Sequence, residues 1–275
     1  MRQTAKDAAR RIWRKDAGNG FTSGTRSIPE ETPIAITYDG SSHAVMMATP
    51  ADLEDFAIGF SLFEGIIDSP DDLESLEIVD VEDGIEARMW LKQASGQRHI
   101  GRRRAILGPT GCGLCGVESI SEAMKPLRRI DSGARFEPEQ LIAAMGRMQK
   151  AQTLNQQTRA VHAAGYWDGG KTLIVREDVG RHNALDKVIG AAARAGIDCS
   201  RGAILMTSRV SVELVQKTAR LGAPMIAAVS APTSLAVRLA EDAGITLIAV
   251  LREDGFEVFT HAQRVLEPLT QTDRQ

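Results

Sequence analysis

The sequence predicts an α/β fold whose C-terminal half carries a parallel sheet covered by helices, preceded by a smaller α+β unit. Two observations point there. After residue 200 short apolar runs alternate with helix-period segments at short spacing, which implies right-handed crossovers and parallel strands. Before residue 92 the apolar runs are separated by Asp-Gly turns around one apolar helix, the pattern of hairpins packed on a helix.

In chain order, Ile34 to Tyr38 and His43 to Met47 read as a hairpin turning at Asp39-Gly40. Thr49-Pro50 opens a helix, with Leu53, Phe56, Ala57, Phe60 and Phe63 on one face. Ser69-Pro70 ends this region, and strands Glu77 to Val81 and Ile85 to Leu91 follow, joined across Asp83-Gly84. Arg98 to Leu107 is a candidate third strand. A helix runs from Pro138 to about Lys150, and the polar stretch Thr153 to Arg159 reads as a linker. Ala160 to Trp167 pairs with Thr172 to Arg176 across Asp168-Gly169-Gly170, and a helix spans His182 to Ala195. The alternation is then strand Ala203 to Thr207, helix Val212 to Leu221, strand Met225 to Val229, helix Ser234 to Ala243 and strand Thr246 to Leu251. Gly222 and Gly244 stand where helices terminate. Phe256 to Thr260 is an antiparallel edge strand.

With 43% hydrophobic and 25% charged residues and a net charge of −3, the chain has the composition of an ordinary globular protein, and neither a nucleic-acid nor a membrane partner is indicated. No apolar run reaches the roughly 20 residues that span a bilayer. The basic, Ala-rich stretch Met1 to Lys15 has Asp7 and lacks Ser, which argues against a transit peptide and for a solvated, partly helical tail. Without a secretory h-region the expected compartment is the cytoplasm. Three cysteines make no disulfide framework there, so the Cys112/Cys115 pair is a matter of chemistry.

Ligands of α/β sheets bind outside the carboxyl ends of the strands. Three segments leave strands on that edge: Thr207-Ser208-Arg209 with Ser211, Ser230 with Thr233 and Ser234, and Arg252 with Glu253-Asp254-Gly255. The first two open helices, whose free N–H groups attract phosphate. Serine and threonine also cap helices everywhere, so any one segment alone reads as structural. Their shared edge, with Arg209 and Arg252, points to a phosphate-bearing ligand. Glu253 and Asp254 oppose it unless they turn outward or hold a base or sugar.

The segment Arg176-Glu-Asp-Val-Gly-Arg-His-Asn183, followed by Asp186 and Lys187, packs both charge signs between a strand and a helix. Asp178 or Asn183 caps the helix on the structural reading. Glu177, Asp178 and His182 are alternatively pocket-lining groups or metal ligands, although their spacing matches no defined metal site.

Gly108 to Glu118 carries four glycines around Cys112 and Cys115, which suits an exposed arm. A short helix after Cys115 and the run Arg102-Arg103-Arg104 with Arg98 and His99 favour thiolate. Such a cysteine can attack a persulfide and hold its outer sulfur. Zinc binding lacks a second ligand pair, a dithiol oxidoreductase lacks thioredoxin-like order, and a zinc deaminase lacks His-x-Glu and Pro-Cys-x-x-Cys. Cys199 has none of these surroundings and reads as packing.

Together these blocks resemble one family. Thr110 to Glu118, Arg176 to Lys187, Ser208 to Lys217, Tyr38 to Met47, Leu53 to Ile67 and Ala228 to Ser234 are similar to the formate dehydrogenase accessory sulfurtransferase family. The resemblance implies a cytidine-deaminase-like layered sheet in the C-terminal half, used without deaminase chemistry. It implies a sulfurtransferase working through a cysteine persulfide, with a cysteine desulfurase as donor. The acceptor it implies is the molybdenum (or tungsten) bis(molybdopterin guanine dinucleotide) cofactor, held as a substrate without a permanent metal, for apo formate dehydrogenase. Cys112 matches the persulfide cysteine, and Cys115 assists or protects it. The guanine dinucleotide contact falls on Val250, Leu251, Arg252, Glu253, Asp254 and Gly255, one of the strand ends singled out above, with Ser208 and Arg209 beside it. A homodimer is implied too, and the alternative function is a cofactor-binding chaperone without sulfur transfer, or a Cys-x-x-Cys zinc or redox protein. The expected division is a flexible tail over 1–27, an α+β domain over 28–130 ending in the cysteine loop, and an α/β cofactor-binding domain over 131–270.

Overall fold

The computed structural model describes residues 2–14, 20–92 and 127–267. The candidate strand at 98–107 and the cysteine loop with Cys112 and Cys115 lie outside the described residues.

The expected helical tail is instead a ribbon. β1 (Ala5–Trp13) and β2 (Phe21–Pro29) pair antiparallel from Ala5↔Pro29 to Trp13↔Phe21. Helix propensity is a weak prior, and here it loses to a partner strand carrying Phe21, Thr22, Thr25 and Ile28, residue types that favour pairing. Arg11 also lies 4.7 Å above the Phe21 ring, a cross-strand contact on one face of the ribbon.

A four-stranded sheet follows, in the order β4-β3-β6-β5. β3 (Thr32–Tyr38) and β4 (Ser41–Ala48) form the expected hairpin. Asp39 and Gly40 turn it with φ of 50° and 73°, both left-handed as a tight hairpin turn requires. β5 (Leu73–Val81) and β6 (Gly84–Leu91) form the second hairpin, and β6 runs parallel to β3.

The connecting helix α1 (Leu53–Phe63) begins later than Thr49-Pro50 suggested, and its N-cap Asp52 makes no side-chain cap. Thr49 is engaged elsewhere, its hydroxyl accepting from the Val179 amide at 3.1 Å. The predicted apolar face is buried apart from half-buried Phe63, but Ile58, Gly59 and Leu62 are buried as well. This helix is covered on two sides, by the sheet and by a second helix.

The C-terminal sheet has six strands in the order β12-β11-β10-β9-β7-β8. β9 (Ala203–Met206), β10 (Met225–Ala228) and β11 (Thr246–Arg252) are parallel, as the alternation predicts. β7 (His162–Trp167), β8 (Leu173–Asp178) and β12 (Gly255–Val258) run antiparallel to their neighbours. Helices α4 (Arg181–Arg194), α5 (Val212–Leu221) and α6 (Ser234–Asp242) connect the strands. Gly222 (φ 81°) and Gly244 (φ 70°) end α5 and α6 in the left-handed region where they were expected.

Side chains alternate across this sheet with period two. Ile204, Met206, Ile226, Ala228, Leu247 and Ala249 join a core that continues through α4 and α1 into the four-stranded sheet. Ala203, Leu205, Met225, Ala227 and Ile248 join a second core under α2 (Pro138–Ala151). Residues 153–159, read above as a linker, hold a short helix, α3 (Thr153–Thr158). Its missing cap comes from across the fold: the Glu177 carboxylate accepts from the Leu154 and Asn155 amides at 2.9 and 2.8 Å.

Candidate functional site

The three segments predicted to share an edge do share it, because Met206 pairs with Ala228 and Ala227 with Ile248 in parallel register. The first two loops are zipped together. Val210 bridges Pro232, the Thr233 amide donates to the Val210 carbonyl at 3.0 Å, and Val229 donates to Met206 at 3.0 Å. Thr233 caps α6, its hydroxyl accepting from Ala236 at 3.3 Å. The N-caps of α4 and α5, Gly180 and Ser211, make no side-chain cap.

The third strand end is shaped by a bulge. Register shifts between Ala249 and Arg252, and Val250 adopts φ 52°, a conformation that β-branched residues rarely hold. Ala249 and Val250 both face the core shared with α4, whereas Leu251 faces the core under α2. The bulge thus reverses the alternation at Val250, two residues before Arg252. Its guanidinium then reaches across the end of β10 and donates from Nη1 to the Val229 carbonyl and, at 3.1 Å, to Leu251. Glu253 and Asp254 form the exposed turn into β12, and Arg209 is exposed. Ser208 is buried and donates to the Arg209 carbonyl at 3.1 Å, so its hydroxyl is committed within the loop.

The charged segment 176–187 arrives at the same edge. β8 ends at Asp178 opposite His162, and α4 starts at Arg181. His182 places Nε2 at 3.4 Å from the Ser211 hydroxyl and 3.5 Å from the Glu213 carboxylate. Both partners face one ring nitrogen, so this is not the two-sided arrangement of a hydrolytic triad. Burial, and then the nearby Arg181 and Lys217, push the His182 imidazole down to about 3. Burial also lowers His162, with Arg181 adding to the effect. Both rings are therefore neutral at pH 7, beside a guanidinium whose buried Nε has no hydrogen-bond partner. A buried donor left unsatisfied calls for a ligand, ion or water.

The metal reading of Glu177, Asp178 and His182 meets a different arrangement. Glu177 caps α3, and fully buried Asp178 pairs with fully buried Lys187 at 2.6 Å. Asp178 also accepts from the amides of Thr49 (3.0 Å) and Gly180 (2.8 Å) and from Asn183 (3.0 Å). Among the described residues no group of three or more His, Cys, Asp or Glu side chains is placed to hold a metal ion.

A second buried pair starts from the neighbouring residue of α4 and reaches α5. Asp186 and Lys217 stand 2.6 Å apart, with Glu213 at 3.4 Å and the Phe63 ring 3.8 Å from the ammonium. Burial pushes the Asp186 carboxyl up against the pull of Lys217. At the outer end of this contact Asp55 of α1 receives Arg176 at 2.7 Å and Arg194 at 2.7 Å. These ion pairs hold α1 and the 176–187 segment in fixed register. The mixed charge of 176–187 implies fixed side-chain pairs, but it does not name these partners, which lie far apart in the chain, and it does not signal the bulge at Val250.

Cys199 is buried, and burial pushes its thiol up to about 12. It is packing, as its surroundings in the sequence suggested. Among the described residues no helix is long and apolar enough to cross a membrane.

The sequence model of the FdhD/NarQ family matches residues 29–266. A protein of Agrobacterium fabrum described as sulfur carrier protein FdhD is 50% identical over 246 residues, 89% of this chain and 91% of that one. One from Brucella abortus with the same description is 50% identical over 251 residues, 90% of this chain and 93% of that one. A crystal structure of a protein from Desulfotalea psychrophila, described as a formate dehydrogenase accessory protein, superposes with a TM-score of 0.76 at 25% identity. It covers 96% of this chain and 100% of its own. With the family model matched over residues 29–266 and relatives 50% identical across about nine-tenths of its length, the chain belongs to the FdhD/NarQ family.

Proposed function

We propose that this chain is a sulfur carrier that takes persulfide sulfur from a cysteine desulfurase and delivers it to the bis(molybdopterin guanine dinucleotide) cofactor of a formate dehydrogenase. The observation that carries the reading is identity of 50% across about nine-tenths of the chain to proteins described as sulfur carriers. The cysteine chemistry supports it by elimination, since Cys199 is buried with a thiol near 12 and cannot serve as a nucleophile at neutral pH. The work falls to Cys112, whose thiolate attacks the outer sulfur of the donor persulfide while the donor's own thiolate leaves. Cys115 assists or protects it.

The metal cofactor is a substrate here, bound through its phosphates and guanine at the strand-end edge by Val250, Leu251, Arg252, Glu253, Asp254 and Gly255 with Ser208 and Arg209. Arg252 turned across β10, two uncapped helix starts and the unpartnered Arg181 Nε support an anionic ligand there. The C-terminal layered sheet is read as a cytidine-deaminase-like scaffold without deaminase chemistry. The working form is a cytoplasmic homodimer that meets the desulfurase and the apo-dehydrogenase in turn, and 28–130 and 131–270 are its two domains, preceded by an arm over 1–27.

Intact-mass measurement after incubation with a desulfurase and cysteine tests the reading. The expected gain is about 32 Da, one sulfur on a low-pKa thiol. It is retained in Cys199→Ala and lost in Cys112→Ala. A wild-type protein that gains no sulfur would favour a chaperone that holds cofactor and enzyme without transfer.

A further inference from the structure

The ribbon 5–29 precedes the stretch matched by the family model, which begins at residue 29. Little of it is buried. Trp13 and Phe21, paired at its tip, are 52% and 60% exposed. A two-stranded hairpin is marginal in water without something to pack on, and this one is held at its base, where Arg26 donates to the Thr158 carbonyl of α3 at 3.1 Å, while its tip is left bare. Its fixed charges are mostly basic, with Arg10, Arg11 and Arg14 near the tip and Asp7 the lone acid among the described residues 5–29.

The complementary surface lies on the same chain. β5 is the outer strand of the four-stranded sheet, and among the described residues nothing pairs with its free edge. Along it Glu74, Glu77 and Asp80 are exposed, followed by Glu82 and Asp83 in the turn to β6, and residues 71–86 contain no Lys or Arg. An open strand edge invites β-addition unless charge or cover blocks it. Acid along this one repels another acidic strand and favours a basic one. The chain's own start already uses this chemistry, since Arg2 pairs with Asp80 at 2.6 Å and donates to the Gly84 carbonyl at 2.6 Å.

We propose that the 5–29 ribbon is an exchange arm that docks on the acidic β5 edge of a second copy of this chain. A two-fold axis makes the contact reciprocal: each copy lends an arm and receives one. The arm's guanidinium groups meet the partner's carboxylates, and Trp13 with Phe21 gains apolar cover. This rests on the homodimer proposed above and assigns its surface.

Sedimentation velocity on the full chain at low salt tests it with two charge-reversed variants. One carries Arg10→Glu and Arg11→Glu, the other Glu74→Lys and Glu77→Lys. All four positions are exposed, so both variants should fold. Each alone is expected to dimerise about tenfold or more weakly than wild type, because arm and edge then repel. An equimolar mixture should recover dimers, since in the mixed pair both arm-edge contacts are again of opposite sign. Variants that each dimerise like wild type would overturn the arm exchange while leaving the homodimer standing. A wild-type chain that stays monomeric would overturn both.

Discussion

Gly59 of α1 and Gly190 of α4 meet where the two helices cross, and each makes room for the other helix's backbone. A Cβ at Gly59 would lie 1.8 Å from the Asp186 carbonyl oxygen, and one at Gly190 would lie 1.9 Å from that of Asp55. The same turns carry Asp55, which binds Arg176 and Arg194, and Asp186, which binds Lys217. Close backbone approach and buried ion pairs are thus one device, joining the four-stranded sheet to the helices that shape the candidate site.

Gly59→Ala and Gly190→Ala should each destabilise the chain by about 3 kcal/mol or more, because backbone rather than a flexible side chain must move. Gly146→Ala in α2, where a Cβ meets nothing within 4 Å, should stabilise by about 0.5–1 kcal/mol. Thermal denaturation of the three variants distinguishes them, and equal melting temperatures would refute the crossing as described.

Removing the Lys187 ammonium with Lys187→Met leaves Asp178 buried without its counter-charge. The expected loss is about 3–5 kcal/mol in urea denaturation. Adding Asp178→Asn should recover part of it, since the amide oxygen can still accept one of the backbone donors. Losses that merely add would mean the two side chains are not coupled.

If the strand-end edge takes a guanine dinucleotide, millimolar guanosine diphosphate should raise the melting temperature of the wild-type chain through ligand linkage. Arg252→Ala should reduce that rise, because the guanidinium aimed across the β10 terminus is lost. A wild-type melting temperature that does not move with nucleotide would remove this edge as the cofactor site.

His182 and His162 both sit below the ordinary histidine value, so the unfolded chain takes up protons that the folded chain refuses. Their stabilising contribution is present above about pH 6.5 and is lost as pH falls. For His182 the loss continues towards its folded value of about 3. It is at most about 1.4 kcal/mol per pH unit, less in practice because the ring is partly exposed and screened. His182→Gln should flatten the acid side of the stability profile over that window. A profile parallel to wild type between pH 6.5 and 4 (about the window set by the histidine value) would contradict it.

Local patterns were legible wherever one segment carried its own signal. The Asp39-Gly40 hairpin, the three parallel strands and the helix ends at Gly222 and Gly244 follow from turn chemistry and apolar period. So did the common edge, since parallel strands must end together. The stretch Met1 to Lys15 reads as a solvated, partly helical tail rather than a strand because the partner of β1 begins eight residues after it ends, beyond the reach of local propensity. Thr49 was read as a helix cap for the same reason: its partner, Val179, is in the other half of the chain.

The sequence by itself determined the alternation of elements, the family resemblance and the reading of Cys199 as packing. Only the tertiary structure decided that Arg252 turns across β10, that Asp178 is matched by Lys187 and that Arg181 retains an unsatisfied Nε. The physical reason is range. Period and turn chemistry act within a few residues, whereas buried charge pairs and glycine crossings exist only after distant segments exclude water from one another.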